Sequence, residues 1–266
     1  MGFEAKRVWI TGASSGIGAA LARAFGGAGA RVILSGRDRE ALARVAAGVP
    51  DARILPFEVT DHAALPGIVA EAGPVDMLIL NAGISQRGLA EDTVMDVYRT
   101  IMEVDYFAPV ALAKLVLPQM LERGSGHLAV TASVAGKFGS PQRTGYCGAK
   151  HAVMGFFDAL RTEVEFRGVK VTTIVPGFVR TEIAARALTA DGSAKGEGQD
   201  DVNGGISAGE AAEIILAGFE KGLREIDVGA AGGPEMALLQ LKRQDPERLF
   251  DLMGQMGEGV VRQFKG

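Results

Sequence analysis

The sequence contains almost no cysteine and little histidine. Among its 266 residues there is one cysteine, Cys147, and there are three histidines at scattered positions. A single thiol cannot form an internal disulfide, and the histidines do not make a metal-ligand cluster of familiar spacing. We therefore expect a protein of a reducing compartment, the cytoplasm, without a metal site.

Long apolar runs and dense positive charge are missing as well. Nowhere do about 18 apolar residues follow one another, and no apolar stretch precedes the first strand pattern, so neither a membrane span nor a signal peptide is expected. With a formal net charge of −4 and no run of Lys and Arg, the chain offers no field that would attract nucleic acid or anionic lipid. Its expected partner is a small molecule.

The sequence does contain short apolar runs separated by helical patterns. Continuous rather than alternating apolar runs are typical of buried parallel strands. The runs are Arg7–Ile10, Arg31–Leu34, Ile54–Phe57, Met77–Leu80, His127–Thr131 and Val171–Val175, with Glu225–Val228 as a candidate last strand. The helical patterns include Ile17–Gly26, Arg39–Ala47, Val94–Met120, Ala149–Phe166 and one that begins near Ser207. This order predicts one α/β domain over residues 1–266, a Rossmann-type doubly wound parallel sheet with helices on both faces.

The first strand pattern leads directly into a glycine-rich turn. The turn reads Thr11-Gly12-Ala13-Ser14-Ser15-Gly16-Ile17-Gly18, and an Ala-rich helical segment follows it. Glycines let the backbone approach a pyrophosphate, and the helix N-terminus offers free N–H groups and a positive dipole; the alternative is a tight turn without a ligand. The spacing Thr-Gly-x-x-x-Gly-x-Gly resembles the short-chain dehydrogenase/reductase family. The resemblance implies a nicotinamide cofactor bound by Gly12, Ser14, Ser15, Gly16, Ile17 and Gly18.

The end of the second strand pattern bears on the choice of cofactor. About 20 residues after the glycine turn, an NAD enzyme usually places an acidic residue for the ribose 2′-hydroxyl. This chain has Gly36 and Arg37 there. Arg37 supplies a fixed cation that can pair with a 2′-phosphate, and Gly36 leaves space for it; the alternative is a solvated arginine at the start of the next helix. We predict NADP(H) as the preferred cofactor, with NAD(H) as the second choice.

Three further motifs resemble the family. Glu58 and Val59 stand where the family usually has Asp-Val, which implies contacts to adenine. Asn81-Ala82-Gly83 resembles the family's Asn-Ala-Gly, which implies contacts that hold the sheet and the cofactor ribose. The segment after the sixth strand resembles Pro-Gly-x-x-x-Thr. Contacts to the nicotinamide amide and ribose are thereby implied for Pro176, Gly177, Val179 and Thr181.

Tyr146 and Lys150 are predicted to form the reacting centre. They stand four residues apart and therefore on one face of a helix. Lowering a tyrosine pKa from about 10 toward 7 requires roughly 4 kcal/mol of preferential phenolate stabilisation, which the Lys150 cation and an oxidised nicotinamide would supply. Ser133, thirteen residues before Tyr146, matches the family's catalytic serine. The resemblance implies that Ser133 binds the substrate oxygen, Tyr146 is the general acid or base, and Lys150 binds the ribose and tunes Tyr146.

Asp105 departs from the family pattern. The family often has an asparagine in the long fourth helix, bonded through the lysine and water into a proton relay, and this chain has an aspartate at that place. A carboxylate can hold a water as an amide does, but its charge would also stabilise Lys150 as a cation. From the sequence, Asp105 either tunes the activity or impairs it.

The C-terminal third has weaker patterns. Residues 191–205 are rich in Gly, Asp, Ser and Asn, and the resemblance assigns about 180–206 to a substrate lid. The tail, about 230–266, carries Leu and Met at helical spacing, which indicates packing or, as the alternative, a wall of the substrate pocket. The resemblance also implies a homodimer or homotetramer built on the helices at 94–120 and 149–166.

Together the motifs predict an NADP(H)-dependent oxidoreductase that interconverts a carbonyl and a primary or secondary alcohol, with the family's pro-S hydride transfer from the nicotinamide C4. Two alternatives remain. An NAD-linked alcohol dehydrogenase is disfavoured because no acid ends the second strand. A cofactor-sensing protein with little turnover is suggested by Asp105 and disfavoured by the intact Ser133, Tyr146 and Lys150.

Overall fold

A computed structural model describes residues 2–198 and 200–265. Gln199, in the predicted lid, and Gly266, at the end of the predicted tail, lie outside the described residues, as does Met1. The strands of this part of the chain are β1 (Arg7–Thr11), β2 (Arg31–Ser35), β3 (Ala52–Ile54), β4 (Met77–Leu80), β5 (Gln86–Arg87), β6 (Gly126–Thr131), β7 (Val169–Pro176), β8 (Val179–Arg180), β9 (Leu188–Thr189), β10 (Ile206–Ser207) and β11 (Glu225–Val228). Seven of them form a parallel sheet in the order β3-β2-β1-β4-β6-β7-β11. The predicted doubly wound fold is confirmed.

Helices connect the strands and cover the sheet. They are α1 (Gly16–Gly27), α2 (Arg39–Ala46), α3 (Leu65–Ala72), α4 (Met95–Met102), α5 (Ala108–Arg123), α6 (Thr144–Val164), α7 (Ala208–Glu220), α8 (Pro234–Gln244) and α9 (Pro246–Lys265). Side chains of β1 alternate between two buried clusters: Trp9 belongs to one, and Val8 and Ile10 belong to the other. Both faces of the sheet are therefore covered by helices, which explains why the strand sequences are apolar throughout.

Two sequence predictions of element boundaries were wrong. The third strand covers Ala52–Ile54 and therefore ends where the predicted run Ile54–Phe57 begins. Its last pair with β2 joins Ile54 to Leu34. The single helix predicted over Val94–Met120 is interrupted by a π turn, Glu103–Phe107, between α4 and α5.

Pro109 explains the π turn. Proline has no N–H, so it cannot donate to the carbonyl of Asp105 four residues earlier. The preceding amide, that of Ala108, donates instead to Glu103, five residues back. The wider turn that results is the type often found at functional sites.

Two features are absent from the residues that the structure describes. None of their helices combines the length and hydropathy needed to cross a membrane. Within the same part of the chain, no group of three or more His, Cys, Asp or Glu side chains is placed to hold a metal ion.

Candidate active site

The glycine turn connects β1 to α1. Gly12 has a φ of +64°, and a Cβ there would lie 2.8 Å from the Cα of Ala82. A Cβ on Gly18 would lie 2.2 Å from the carbonyl oxygen of Gly12. Both positions therefore require glycine. Ser15, the N-cap of α1, makes no side-chain cap bond, so the first N–H groups of the helix are available to a ligand.

A cavity of about 560 Å³ brings most of the predicted site residues together. Those that line it are Gly12, Ser14, Ser15, Gly16, Ile17, Arg37, Glu58, Val59, Asn81, Ala82, Gly83, Ser133, Tyr146, Lys150, Pro176, Gly177, Val179 and Thr181. Gly18 and Asp105 lie behind this lining. The uncapped N–H groups at the start of α1 and the Arg37 cation in the lining fit the negatively charged phosphates of a dinucleotide.

Arg37 lies at the predicted adenosine end of the cavity. Its Nη1 is 3.6 Å from Oε2 of Glu58; the Arg37 side chain is exposed and that of Glu58 is half-buried. A Cβ on Gly36 would meet the Ser14 hydroxyl oxygen at 3.5 Å, so Ser14 and Arg37 are near neighbours. An exposed ion pair of this kind contributes little stability and leaves the guanidinium able to bind a phosphate.

Asn81 ties together the C-terminal ends of three strands. Its backbone N–H and that of Ala82 donate to Oγ1 of Thr11 at 3.0 and 3.1 Å. Its side-chain amide donates to the Thr11 carbonyl, and its Oδ1 accepts a hydrogen bond from the Thr131 hydroxyl. The contacts that the sequence predicted to hold the sheet are therefore present.

Ser133, Tyr146 and Lys150 are buried side by side at the other end of the cavity. Ser133 follows β6, and its Oγ accepts a hydrogen bond from the Ala135 N–H and donates one to the carbonyl of Pro176. Tyr146 and Lys150 lie one turn apart on α6, with the Lys150 Nζ 5.6 Å from the centre of the phenol ring. The three side chains therefore contribute polar groups to one part of the cavity lining.

Asp105 lies next to Lys150. Its side chain is fully buried in the π turn, and its Oδ1 accepts a hydrogen bond of 2.9 Å from the Ile84 N–H. Its Oδ2 lies 3.5 Å from the Lys150 Nζ and has no hydrogen-bond partner among the described residues. Lys150 donates instead to the Thr131 carbonyl at 3.1 Å. Burial raises the pKa of Asp105 despite the opposing charge of Lys150.

Burial also controls the pKa of the Tyr146 phenol. Desolvation raises this pKa, the charge of Lys150 lowers it, the charge of Asp105 raises it, and a hydrogen bond from Ser133 lowers it; the net pKa is raised. The sequence predicted that Lys150 and the cofactor together lower the pKa of Tyr146 toward 7. In the protein alone, the effect of Lys150 on this pKa is smaller than the opposing effect of burial. The protein groups by themselves keep Tyr146 protonated, which is the form that donates a proton to a carbonyl.

Three polar residues at or beside the cavity were not predicted from the sequence: Ser85, Gln86 and Arg87. Gln86 is fully buried, and its Oε1 accepts hydrogen bonds from the backbone N–H groups of Gly145 and Tyr146 at 2.7 and 3.4 Å. Arg87 lines the cavity. The signal was present, because a polar run a few residues after a buried strand lies near the functional edge of a parallel sheet.

The C-terminal tail forms one wall of the cavity. Leu238 of α8 and Met253 and Met256 of α9 line it, as does Glu235 at the start of α8. Other tail residues, Leu239 and Leu249, pack in the core, so the tail both packs and lines the cavity. Glu235 is buried beside the Pro-Gly-x-x-x-Thr segment, where its Oε1 accepts a long hydrogen bond of 3.4 Å from the Phe178 N–H.

Comparison with known proteins identifies sequence relatives. Residues 6–191 match the family model described as short chain dehydrogenase. The chain is similar to "Dehydrogenase/reductase SDR family member 7B" of Mus musculus, with 42% identity over 231 residues that cover 82% of this chain and 72% of the relative. It is also 42% identical over 223 residues to "Dehydrogenase/reductase SDR family protein 7-like" of Drosophila melanogaster, covering 79% of this chain and 68% of that protein.

Solved structures show the same fold. A short chain dehydrogenase/reductase from Burkholderia phymatum in complex with NAD superposes with a TM-score of 0.80 at 25% identity, covering 93% of this chain and 96% of the other. A short-chain dehydrogenase from Sphingobium yanoikuyae in complex with NADPH gives a TM-score of 0.74 at 26% identity, with coverages of 97% and 95%. Both nicotinamide cofactors therefore occur among its structural neighbours.

Proposed function

This chain is an NAD(P)-dependent oxidoreductase of the short-chain dehydrogenase/reductase family, and on that basis we propose that it uses NADP(H) to interconvert a carbonyl and a primary or secondary alcohol. The observation that supports this most strongly is the shared cavity. Its lining includes the glycine turn and Arg37 as well as Ser133, Tyr146 and Lys150. A dinucleotide and a small substrate would therefore meet at the buried phenol.

In this proposal the cofactor lies along the lining already described. The glycine turn and the start of α1 bind its pyrophosphate, Glu58 and Val59 contact adenine, and Asn81-Ala82-Gly83 contacts a ribose. Pro176, Gly177, Val179 and Thr181 hold the carboxamide end. When bound, the nicotinamide would supply or accept the hydride.

The protein's own groups handle the oxygen and the proton. The Ser133 hydroxyl donates a hydrogen bond to the substrate oxygen, and Tyr146 gives it a proton in reduction or removes one in oxidation. Lys150 binds the ribose and stabilises the phenolate by its charge. Asp105 acts on the Tyr146 phenol by its charge, and it lies beside Lys150.

In the same proposal the enzyme works in the cytoplasm as a homodimer or homotetramer. The exposed side chains of Phe107 and Leu115 on the predicted interface helices support the assembly.

Turnover of a carbonyl is the first test. NADPH and NADH oxidation are followed against a panel of ketones and aldehydes, with Tyr146→Phe measured in parallel. We expect turnover to fall by at least about 100-fold in this variant, because it loses the proton donor. Tyr106→Phe is the control, since it removes a hydroxyl from a half-buried tyrosine that packs against Phe107. Tight NADPH binding without turnover of any carbonyl would favour the cofactor-sensing alternative instead.

Arg37 decides the cofactor preference. Loss of charge-assisted hydrogen bonds in Arg37→Ala should weaken NADPH binding by about 10- to 100-fold and leave NADH binding nearly unchanged. Arg44→Ala, at an exposed position on α2, is the matched control. Equal losses for both cofactors, measured as dissociation constants, would contradict the phosphate contact and leave the NAD-linked alternative.

A further inference from the structure

The predicted lid is attached to the short strand β5 at two places. β9 of the lid pairs in parallel with β5, which aligns Leu188 with Gln86 and Thr189 with Arg87. Further along the lid, the carboxylate of Asp200 meets the guanidinium of Arg87, a residue 113 positions earlier in the chain. At and around these attachments the lid lines the cavity, with Leu188, Ala194 and Val202.

The Arg87–Asp200 pair has the geometry of a strong interaction. Nε and Nη2 of Arg87 each donate to one carboxylate oxygen at 2.7 Å, which is a bidentate arrangement. The side chains are only 7% and 3% exposed. The remaining Nη1 of Arg87 donates to the Ser85 hydroxyl and the Gln86 carbonyl, so the guanidinium is held in place from the protein side.

Other cations reinforce the position of Asp200. Arg143 Nη2 lies 3.6 Å and Lys195 Nζ lies 3.8 Å from its carboxylate oxygens. Burial by itself would raise the pKa of Asp200, but the hydrogen bonds and charge of Arg87 and the charge of Arg143 lower it. Asp200 is therefore ionised at neutral pH while the lid is closed.

The chain around Arg87 is hydrogen-bonded to α6, the helix that carries Tyr146. Gln86 precedes Arg87 and caps the first turn of α6 through the N–H groups of Gly145 and Tyr146. Arg143, the N-cap residue of α6, bonds the Ser140 hydroxyl in the loop before the helix. Arg87, which binds Asp200, is thus next in the chain to Gln86, which binds the start of α6. Arg143, which also lies near Asp200, is the N-cap residue of the same helix.

We propose that Arg87 and Asp200 are positioning residues that fasten the lid over the substrate end of the cavity, with β5 linking the closed lid to the helix that carries Tyr146. Opening the lid exchanges the bidentate pair for hydration of both ions, so the pair sets the fraction of time for which the lid is closed. The functional part of this proposal rests on the proposed carbonyl chemistry, but the closing role does not.

Physical reasoning explains why one pair can control this segment. The lid is attached mainly by strands of two residues and by hydrogen bonds at the protein surface, which is typical of segments that open locally. A buried charge that loses its partner must return to water, so the pair favours the two states, fully closed or open, over intermediates. Lids of this kind exclude water from the reaction and control substrate capture.

Trypsin cleavage of the full chain tests the closing role without any substrate. Lys195 lies within the lid, and cleavage after it requires local opening; its rate then reports the population of the open state. Asp200→Asn keeps the shape and removes the charge, and we expect cleavage at Lys195 to become about 10- to 100-fold faster. Asp191→Asn is the matched control: Asp191 is an exposed lid aspartate that bonds only Thr189 and Ser193, so cleavage should change less than about twofold.

Two results would overturn the closing role. One is an unchanged cleavage rate in Asp200→Asn. The other is faster cleavage at sites throughout the chain, because this would assign the pair to general stability. Arg87→Lys, which keeps the charge but not the bidentate fork, should fall between the wild type and Asp200→Asn.

Kinetics with a carbonyl that the wild type reduces test the functional role. In Asp200→Asn we expect the KM for the carbonyl to rise about tenfold while the dissociation constant of NADPH changes less than about twofold. A fall of kcat with an unchanged KM would contradict the role in substrate capture. If no carbonyl is turned over at all, the proposed function fails, and the cleavage experiment still decides the closing role.

Discussion

Asp105 places an ionisable group next to Lys150 and close enough to Tyr146 to affect the pKa of its phenol. An asparagine at this position, which is usual in the family, would contribute hydrogen bonds only. The carboxylate adds a charge that raises the pKa of Tyr146, in opposition to Lys150. Because Asp105 is buried, its own pKa is raised too, so its charge depends on pH. The alternatives of tuning and impairment can therefore be separated by pH profiles.

We predict that Asp105→Asn moves the pH profile of carbonyl reduction. Reduction needs a protonated Tyr146, so the rate falls as pH rises through the pKa of the phenol. Removing the negative charge of Asp105 lowers that pKa. The falling limb of kcat against pH should therefore move to lower pH, by about one unit or less. An unmoved limb with a lower kcat at every pH would instead indicate that Asp105 has only a structural role.

Stability measurements provide an independent check on the same variant. The folded protein binds the Asp105 proton more tightly than the unfolded chain does, because burial raises the folded-state pKa. The contribution of this group to stability is therefore complete below its unfolded pKa and is lost as pH rises through the folded pKa. Relative to Asp105→Asn, the wild type should lose unfolding free energy in urea titrations as pH rises from about 4 through the raised pKa of Asp105. Parallel curves for the two proteins would contradict the raised pKa.

At the scale of elements, the start of α6 depends on another part of the chain. Its N-cap residue, Arg143, makes no side-chain cap bond, and its first turn contains no acidic residue. Gln86 performs the capping from β5, and its Nε2 is held by the hydroxyl of Thr93. A helix end that is capped by a separate strand keeps Tyr146 in place only while that strand is in place.

We predict that Gln86→Leu lowers kcat by about tenfold and destabilises the protein by about 1 to 2 kcal/mol, because two buried N–H groups lose their acceptor. The dissociation constant of NADPH should change little. Gln86→Glu keeps the acceptor and places a negative charge at a helix N-terminus, where it is favourable, so it should restore most of kcat. Loss of stability in Gln86→Leu with an unchanged kcat would rule out the positioning of Tyr146.

Element boundaries were predicted less well than element types. The helix predicted across Val94–Met120 ignored Pro109, although the missing N–H of this residue produces the π turn that directs Asp105 toward Lys150. The two-residue strands β5 and β9 were not predicted at all. So short a strand has no periodicity, and it exists only because the lid and the loop after β4 lie side by side.

At the scale of the whole molecule, the cavity is assembled from segments that are far apart in the chain. The glycine turn, the ends of the parallel strands, α6, the lid and the tail all contribute to its lining. The apolar tail residues Leu238, Met253 and Met256 form the wall opposite the sheet edge. The tail and the lid thus contribute lining residues that belong to none of the sequence motifs.

The sequence by itself determined the family, the parallel sheet and most of the cavity lining. These features depend on local patterns: apolar runs that become buried strands, glycines required at Gly12 and Gly18, and the helical spacing of Tyr146 and Lys150. Only the tertiary structure decided the burial that raises the pKa of Tyr146, the ion pair of Arg87 with Asp200, and the cap that Gln86 supplies to α6. Desolvation and contacts across more than 50 residues arise from packing, and no local pattern encodes them.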